Sequence, residues 1–244
     1  MPNRSWQGGG APNPGDWDQA NNWVGGVVPI DGDTVDFLAA NWVADITAGP
    51  VAAVTLISIT DDAGFEAMGG ANCIICYTNI TVTTVNCLSD TYVSGGVIQT
   101  LNMSGGTNRV LGDTIGTANL SGAAGCRVFG GTYGTINLSG GAYAHGAGTV
   151  ADVVNINGAG SYVDTGTFTT VNMNADTSEV RALGTYGTIY VYAAAADVSA
   201  TTIAAGRITN GPYVMNRNAI LYDYDTGEVM LDTHQTEPNH EGRW

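Results

Sequence analysis

Cys73 and Cys76 have the two-residue gap of a metal-binding pair. The surrounding run, Asn72-Cys73-Ile74-Ile75-Cys76-Tyr77, is apolar, lacks the turn glycines of a zinc knuckle, and is followed by no second pair. These two, with Cys87 and Cys126, are expected to be reduced, buried thiols. Acid–base cleavage of a polysaccharide needs two convergent carboxylates, and Asp90, Asp113, Asp152, Asp164 and Asp176 are separated by 23, 39, 12 and 12 residues. Glu179 and Asp197 lie 18 apart, as do Arg109 and Arg127, and Arg127 and His145. The first pair could stack as carboxylates; the second set could form a positive stripe for an anionic glycan or an acidic neighbour. Asp31, Asp33 and Asp36 suggest part of a calcium loop without its distal Glu. His234, Glu237, His240 and Glu241 are metal-ligand types on a tail with no scaffold. No set is complete, so the sequence predicts no catalytic residue, no cofactor and no metal.

An internal repeat sets where these residues fall. Asn86, Asn102, Asn119, Asn137, Asn155 and Asn172 recur at intervals of 16 to 18 residues, in units such as Thr132-Tyr133-Gly134-Thr135-Ile136-Asn137-Leu138-Ser139-Gly140, and Tyr190 takes the next place. A period this short suits one coil of a β-solenoid, with two or three short strands joined at glycine corners. The predicted fold is all-β, a parallel β-helix of about 17–18 residues per coil. Right-handed crossovers are favoured, and hexapeptide solenoids wind about 18 residues per coil to the left, so both hands stand. The five scattered Asp residues miss the coil interval; Glu179 with Asp197, and Arg109, Arg127 and His145, match it.

Strand alternation then assigns faces. The pairs Leu101/Met103, Ile136/Leu138, Val154/Ile156 and Val171/Met173 are predicted to stack inside. A second inward stack runs through Val93, Val110, Val128, Val163 and Val180, and a third through Ile115, Tyr133, Val150, Phe168 and Tyr186. Outside lie a row of Thr (Thr84, Thr100, Thr117, Thr135, Thr170, Thr188), broken at Val153, and the Asn row; both are expected to be exposed ladders. Regular Thr rows resemble those of ice-binding solenoids, but the break and the Thr-x-Asn pattern favour structural ladders.

Composition agrees with this picture. The 244 residues include 35 Gly, 12% charged residues and 44% hydrophobic residues, and all seven basic residues are Arg. A net charge of −15 would repel phosphates, which excludes nucleic acid as an expected partner. No apolar run approaches the ~18 residues of a membrane helix. Met1 to Trp6 is followed by Gly and Pro rather than an apolar run, so no export by a secretory signal is expected.

The expected domains are a Trp-rich N-terminal capping and anchoring segment (1–50), a solenoid of about nine coils and about 40 Å (51–205), and a C-terminal hairpin with a tail (206–244). The hairpin is read from Ala219–Tyr224 and Glu228–Asp232 around Asp225-Thr226-Gly227.

Trp17, Asn22-Trp23, Pro29 and Gly32-Asp33-Thr34-Val35, with the Thr-Ile-Asn-Leu-Ser-Gly coils, resemble β-helical surface proteins of bacteria and their phages. The resemblance covers most of the chain and implies a non-enzymatic virion protein, a capsid cement or decoration protein that assembles in the host cytoplasm as a homotrimer on the major capsid protein. Trp6, Trp17, Trp23 and Phe37 are the expected partner contacts, since aromatics dominate interfaces; intramolecular capping is their other role. Two alternatives stay open: a tailspike-like surface that binds or cleaves glycan through Tyr133, Tyr143, Tyr162 and Tyr186, and a bacterial adhesin.

Overall fold

The computed structural model describes residues 2–38, 46–62, 73–76, 78–88, 91–104, 109–111, 114–121, 126–140, 142–144, 146, 148–175, 178–180, 185–191, 195–198, 213–215, 220–222 and 229–232. They form β1 (Asn3–Trp6), a 3-10 turn at Ala20–Asn22, β2 (Thr34–Leu38), β3 (Val54–Asp62), β4 (Cys73–Cys76), β5 (Ile80–Cys87), β6 (Thr91–Ser94), β7 (Val97–Met103), β8 (Arg109–Leu111), β9 (Thr114–Ser121) and β10 (Arg127–Phe129). The order continues with β11 (Gly131–Ser139), β12 (Tyr143–Ala144), β13 (Thr149–Ile156), β14 (Tyr162–Val163), β15 (Thr167–Met173), β16 (Ser178–Val180), β17 (Thr185–Val191), β18 (Ala195–Val198), β19 (Tyr213–Met215), β20 (Ile220–Tyr222) and β21 (Val229–Asp232).

Two sheets result among the described residues. One, the long-strand sheet, runs β1-β2-β3-β5-β7-β9-β11-β13-β15-β17-β19; the other, the short-strand sheet, runs β4-β6-β8-β10-β12-β14-β16-β18-β20-β21. Every strand pairing is parallel except β20 with β21. Parallel neighbours cannot be joined by a tight turn. From β3 to β20 each connection passes through a strand of the opposite sheet, so the chain winds one coil per long and short pair, which makes it the predicted β-solenoid.

The long strand turns a corner midway. In β5 the burial order from Ile80 to Cys87 places Thr83 and Thr84 both outward, and β13 repeats the pattern at Asp152 and Val153. Simple alternation forbids two outward neighbours. The register skips the first of them: Val82 pairs with Ile98 and the next pair is Thr84 with Thr100. A Cβ on Gly116 or Gly134 at this corner would lie 2.6 or 2.7 Å from a carbonyl oxygen of the preceding coil, which fits glycine there.

The interior is a set of stacked rows. Leu101, Ala118, Ile136, Val154 and Val171 follow one another in register and are fully buried. On the short-strand sheet, Val93, Val110, Val128, Val163 and Val180 form the second predicted stack, with Ala144 filling the place between Val128 and Val163. The third stack differs from expectation at one position. Ala151, and not Val150, sits between Tyr133 and Phe168, while Val150 is 43% exposed. The coil register is anchored by Asn155, which places Ala151 four residues earlier as Asn137 places Tyr133. A small residue between two aromatic rings also keeps the row at interior packing density.

Parallel stacking starts earlier than residue 51 and ends later than residue 205. β1 and β2 extend the long-strand sheet, β19 pairs with β17, and β20 pairs with β18. The expected C-terminal hairpin is present as antiparallel β20–β21. At the N-terminal end, the loop after the 3-10 turn folds back on β1: Trp6 bridges Trp23 antiparallel, and the Val24 N–H donates to the Ser5 carbonyl at 2.9 Å. Both arrangements cover a strand edge that would otherwise invite another chain.

Candidate functional site

The outer face of the long-strand sheet carries the Asn row. Asn102 donates through Nδ2 to Oδ1 of Asn86 at 2.9 Å, Asn119 to Asn102 at 2.8 Å, and Asn137 to Asn119 at 2.7 Å. Asn155 donates to Asn137 at 2.8 Å and Asn172 to Asn155 at 2.7 Å. All five bonds run in one direction. The Asn side chains, and beside them Thr84, Thr100, Thr117, Thr135, Val153 and Thr170, are half-buried rather than exposed, because each is covered by its equivalents one coil away. The face is therefore a sealed polar ladder, with the amides engaged with each other.

The aromatic anchors occupy the interior. Trp6, Trp17, Trp23 and Phe37 are completely buried. Trp17 and Trp23 meet edge to face with ring centroids 4.7 Å apart, Trp6 and Trp23 at 5.0 Å, and Trp23 Nε1 donates to the Trp17 carbonyl at 2.7 Å. They plug the first coils, so the expected partner-contact role is replaced by intramolecular capping. Closure is reinforced by Asn22, which is buried, accepts from the Gly10 N–H, and donates to the carbonyls of Asn13 and Asp16 at 2.8 Å each.

The acidic trio Asp31, Asp33 and Asp36 serves three separate joints. Asp31 accepts from the Thr55 N–H at 2.7 Å, Asp36 from the Asn3 amide, and buried Asp33 from Arg4 Nε at 2.9 Å and the Ile30 N–H at 3.2 Å. Among the described residues no three His, Cys, Asp or Glu are placed to hold a metal. Cys73 and Cys76 are the first and last residues of β4. Cys87 and Cys126 are buried free thiols. His145, Asp90, Asp113, Asp176 and the tail residues His234, Glu237, His240 and Glu241 lie outside the described residues. Asp152 is exposed and Asp164 half-buried, on different sheets' coils and out of register with each other.

Tyr133 is buried and donates its hydroxyl to the Gly130 carbonyl at 2.9 Å, so it does not belong to a glycan groove; Tyr186 lies in register with Phe168 on the neighbouring strand. Tyr143 and Tyr162 have another place. On the short-strand sheet, the position just before the buried Val/Ala row forms its own column. Arg109 pairs with Arg127, Arg127 with Tyr143, Tyr143 with Tyr162, Tyr162 with Glu179, and Glu179 with Asp197. Tyr92 precedes Arg109 and Tyr222 follows Asp197. Alternation with the buried column puts this one on the outer face; its described side chains, Arg127 and Tyr162, are half-exposed. The Arg127 guanidinium lies 5.6 Å from the Phe129 ring centroid.

The chain matches no known protein family, no curated protein and no solved structure.

The sequence reading found Arg109 beside Arg127 and Glu179 beside Asp197, but not the column that unites them. It extended the positive stripe to His145 on a constant interval of 18, whereas the register puts Tyr143 opposite Arg127. Successive members are 17, 18, 16, 19, 17 and 18 residues apart, from Tyr92 to Asp197. The usable signal was local: each member immediately precedes a residue of the buried Val/Ala row. By register, the column places two Arg, two Tyr and two acidic residues in sequence along the rod.

Proposed function

We propose that this chain is a non-enzymatic structural protein of a phage virion, a cement or decoration rod on the capsid surface. The observation that carries the reading is the one-directional Asn ladder along a continuous parallel stack, with an antiparallel fold-back on β1 and antiparallel β21 on β20. Such a rod resists bending, and binding across neighbouring capsid subunits raises the cost of separating them. The interface would use outer faces of the coils, since the N-terminal aromatics are committed to the interior.

The test is incubation of the purified chain with emptied, expanded capsids of the phage that encodes it. Retention on the capsids and a higher capsid rupture temperature support the proposal; loss from capsids and an unchanged rupture temperature count against it. A second reading, a polysaccharide-binding or polysaccharide-cleaving surface, is favoured by adjacent Glu179 and Asp197 next to Tyr162. It expects reducing ends to accumulate on host polysaccharide, and to stop with Glu179→Gln.

A further inference from the structure

The outer column of the short-strand sheet has an order that matters: two cations, two tyrosines, two carboxylates. Arg109 and Arg127 lie on β8 and β10, Tyr143 and Tyr162 on β12 and β14, and Glu179 and Asp197 on β16 and β18, each on the strand next to the last. The sequence of charge is antisymmetric about the midpoint between β12 and β14. A twofold axis through that midpoint, running along the strand direction, would lay the sheet of a second copy face to face with the first and with its rod axis reversed. Strand spacing is the same in both copies, so positions match one for one. Tyr143 then meets Tyr162 of the second copy, Arg127 meets its Glu179, and Arg109 meets its Asp197. One strand further out the match continues, with Tyr92 opposite Tyr222.

We infer that this column is an isologous interface for a second copy of the chain, making an antiparallel dimer. An isologous contact requires a self-complementary patch, and this column supplies one over eight consecutive strands, about 34 Å at the usual strand spacing. Other symmetric arrangements through the same face fail on charge. Rods related by an axis parallel to their length would bring equal heights together, placing Arg opposite Arg and carboxylate opposite carboxylate, and like charges placed face to face are costly. The homotrimer expected from the sequence resemblance would have that geometry here. The net charge of −15 adds a reason for the order: two such acidic chains repel at long range, and the two arginines are placed where they offset that repulsion locally. The inference does not depend on the virion reading.

The decisive experiment uses charge reversal and mixing of full-length chains, with sedimentation velocity as readout and circular dichroism to confirm folding. The wild-type chain is expected at dimer mass, with a dissociation constant that rises with added NaCl. Arg127→Glu alone opposes two carboxylates twice per dimer, and Glu179→Arg alone opposes two guanidinium groups twice; each is expected to weaken dimerisation at least tenfold. Mixing the two variants restores complementarity at both contacts, because the Glu at 127 faces the Arg at 179 and the untouched pair remains. A dimer in the mixture from two weakened partners is the expected result, and R127E/E179R in one chain should dimerise with itself. A wild-type monomer or trimer at tens of micromolar, or a mixture no more associated than its parts, overturns the inference. So does a monomer whose binding to an anionic polysaccharide is abolished by Arg127→Glu, since the column would then hold glycan.

Discussion

Asn137 sits in the middle of the amide ladder, and its truncation measures what the ladder contributes. It donates to Asn119 at 2.7 Å and accepts from Asn155 at 2.8 Å, so Asn137→Ala removes two hydrogen bonds. Each net bond is worth about 1 kcal/mol, and the half-buried site lets water recover only part of the loss, giving about 2 kcal/mol. Asn86, at the first rung, has one ladder bond, to Asn102, so Asn86→Ala should cost about 1 kcal/mol. For a domain of this size those values shift the melting temperature by about 4–8 °C and about 2–4 °C respectively. Asn137→Asp sharpens the test. An ionised carboxylate can accept from Asn155 but cannot donate to Asn119 Oδ1, whereas a protonated one can do both. The folded state therefore binds the proton more tightly than the unfolded chain, and the deficit against wild type should narrow as pH falls through about 4. The assay is thermal unfolding followed by circular dichroism at pH 7 and pH 3.5. Equal small shifts for Asn137→Ala and Asn86→Ala, or a pH-independent deficit for Asn137→Asp, would refute the reasoning that the ladder holds the coils.

Three further outcomes follow from packing and charge. Gly158→Ala would drive a Cβ into the Gly140 nitrogen and to 2.6 Å from the Ser139 carbonyl carbon, backbone that cannot step aside; a loss of about 1–3 kcal/mol is expected in urea unfolding, as for other overpacked sites. Leu138→Ala on the inner row should cost about 2–5 kcal/mol, whereas Val150→Ala on the outer face should stay within about 0.5 kcal/mol; similar costs would mean the row assignment is wrong. Asp33→Asn removes the charge facing Arg4 at 2.9 Å from a carboxylate that is 2% exposed, with Arg4 at 20%. Because the arginine keeps some solvent, the cost is expected near the low end for a broken buried pair, about 3 kcal/mol, read as a lower urea midpoint.

Coil period and inner rows were legible because Asn137, Asn155 and their equivalents repeat beside fixed apolar neighbours. The corner within each long strand was not, since Thr83 and Thr84 look like ordinary alternation until the register shows that both face out. Val150 misled for a related reason: hydrophobicity alone prefers it to Ala151, but backbone register does not consult hydrophobicity. Trp6, Trp17 and Trp23 could be assigned to the cap by composition, while their burial depends on an antiparallel fold-back with no periodic signature. The column through Arg109 and Glu179 stayed hidden because the loops between short strands vary in length, so a fixed interval drifts off the true neighbour within two coils.

The fold-back onto β1 and the final pairing of β21 with β20 have a metric consequence. Between them, the length of the stack is set by the number of coils that the sequence encodes. Adding or removing one repeat of 17 or 18 residues changes the molecule by one strand spacing, about 4.8 Å. The solenoid is thus a ruler with molecular graduations, and selection can adjust the span it bridges in single steps without redesigning its cross-section.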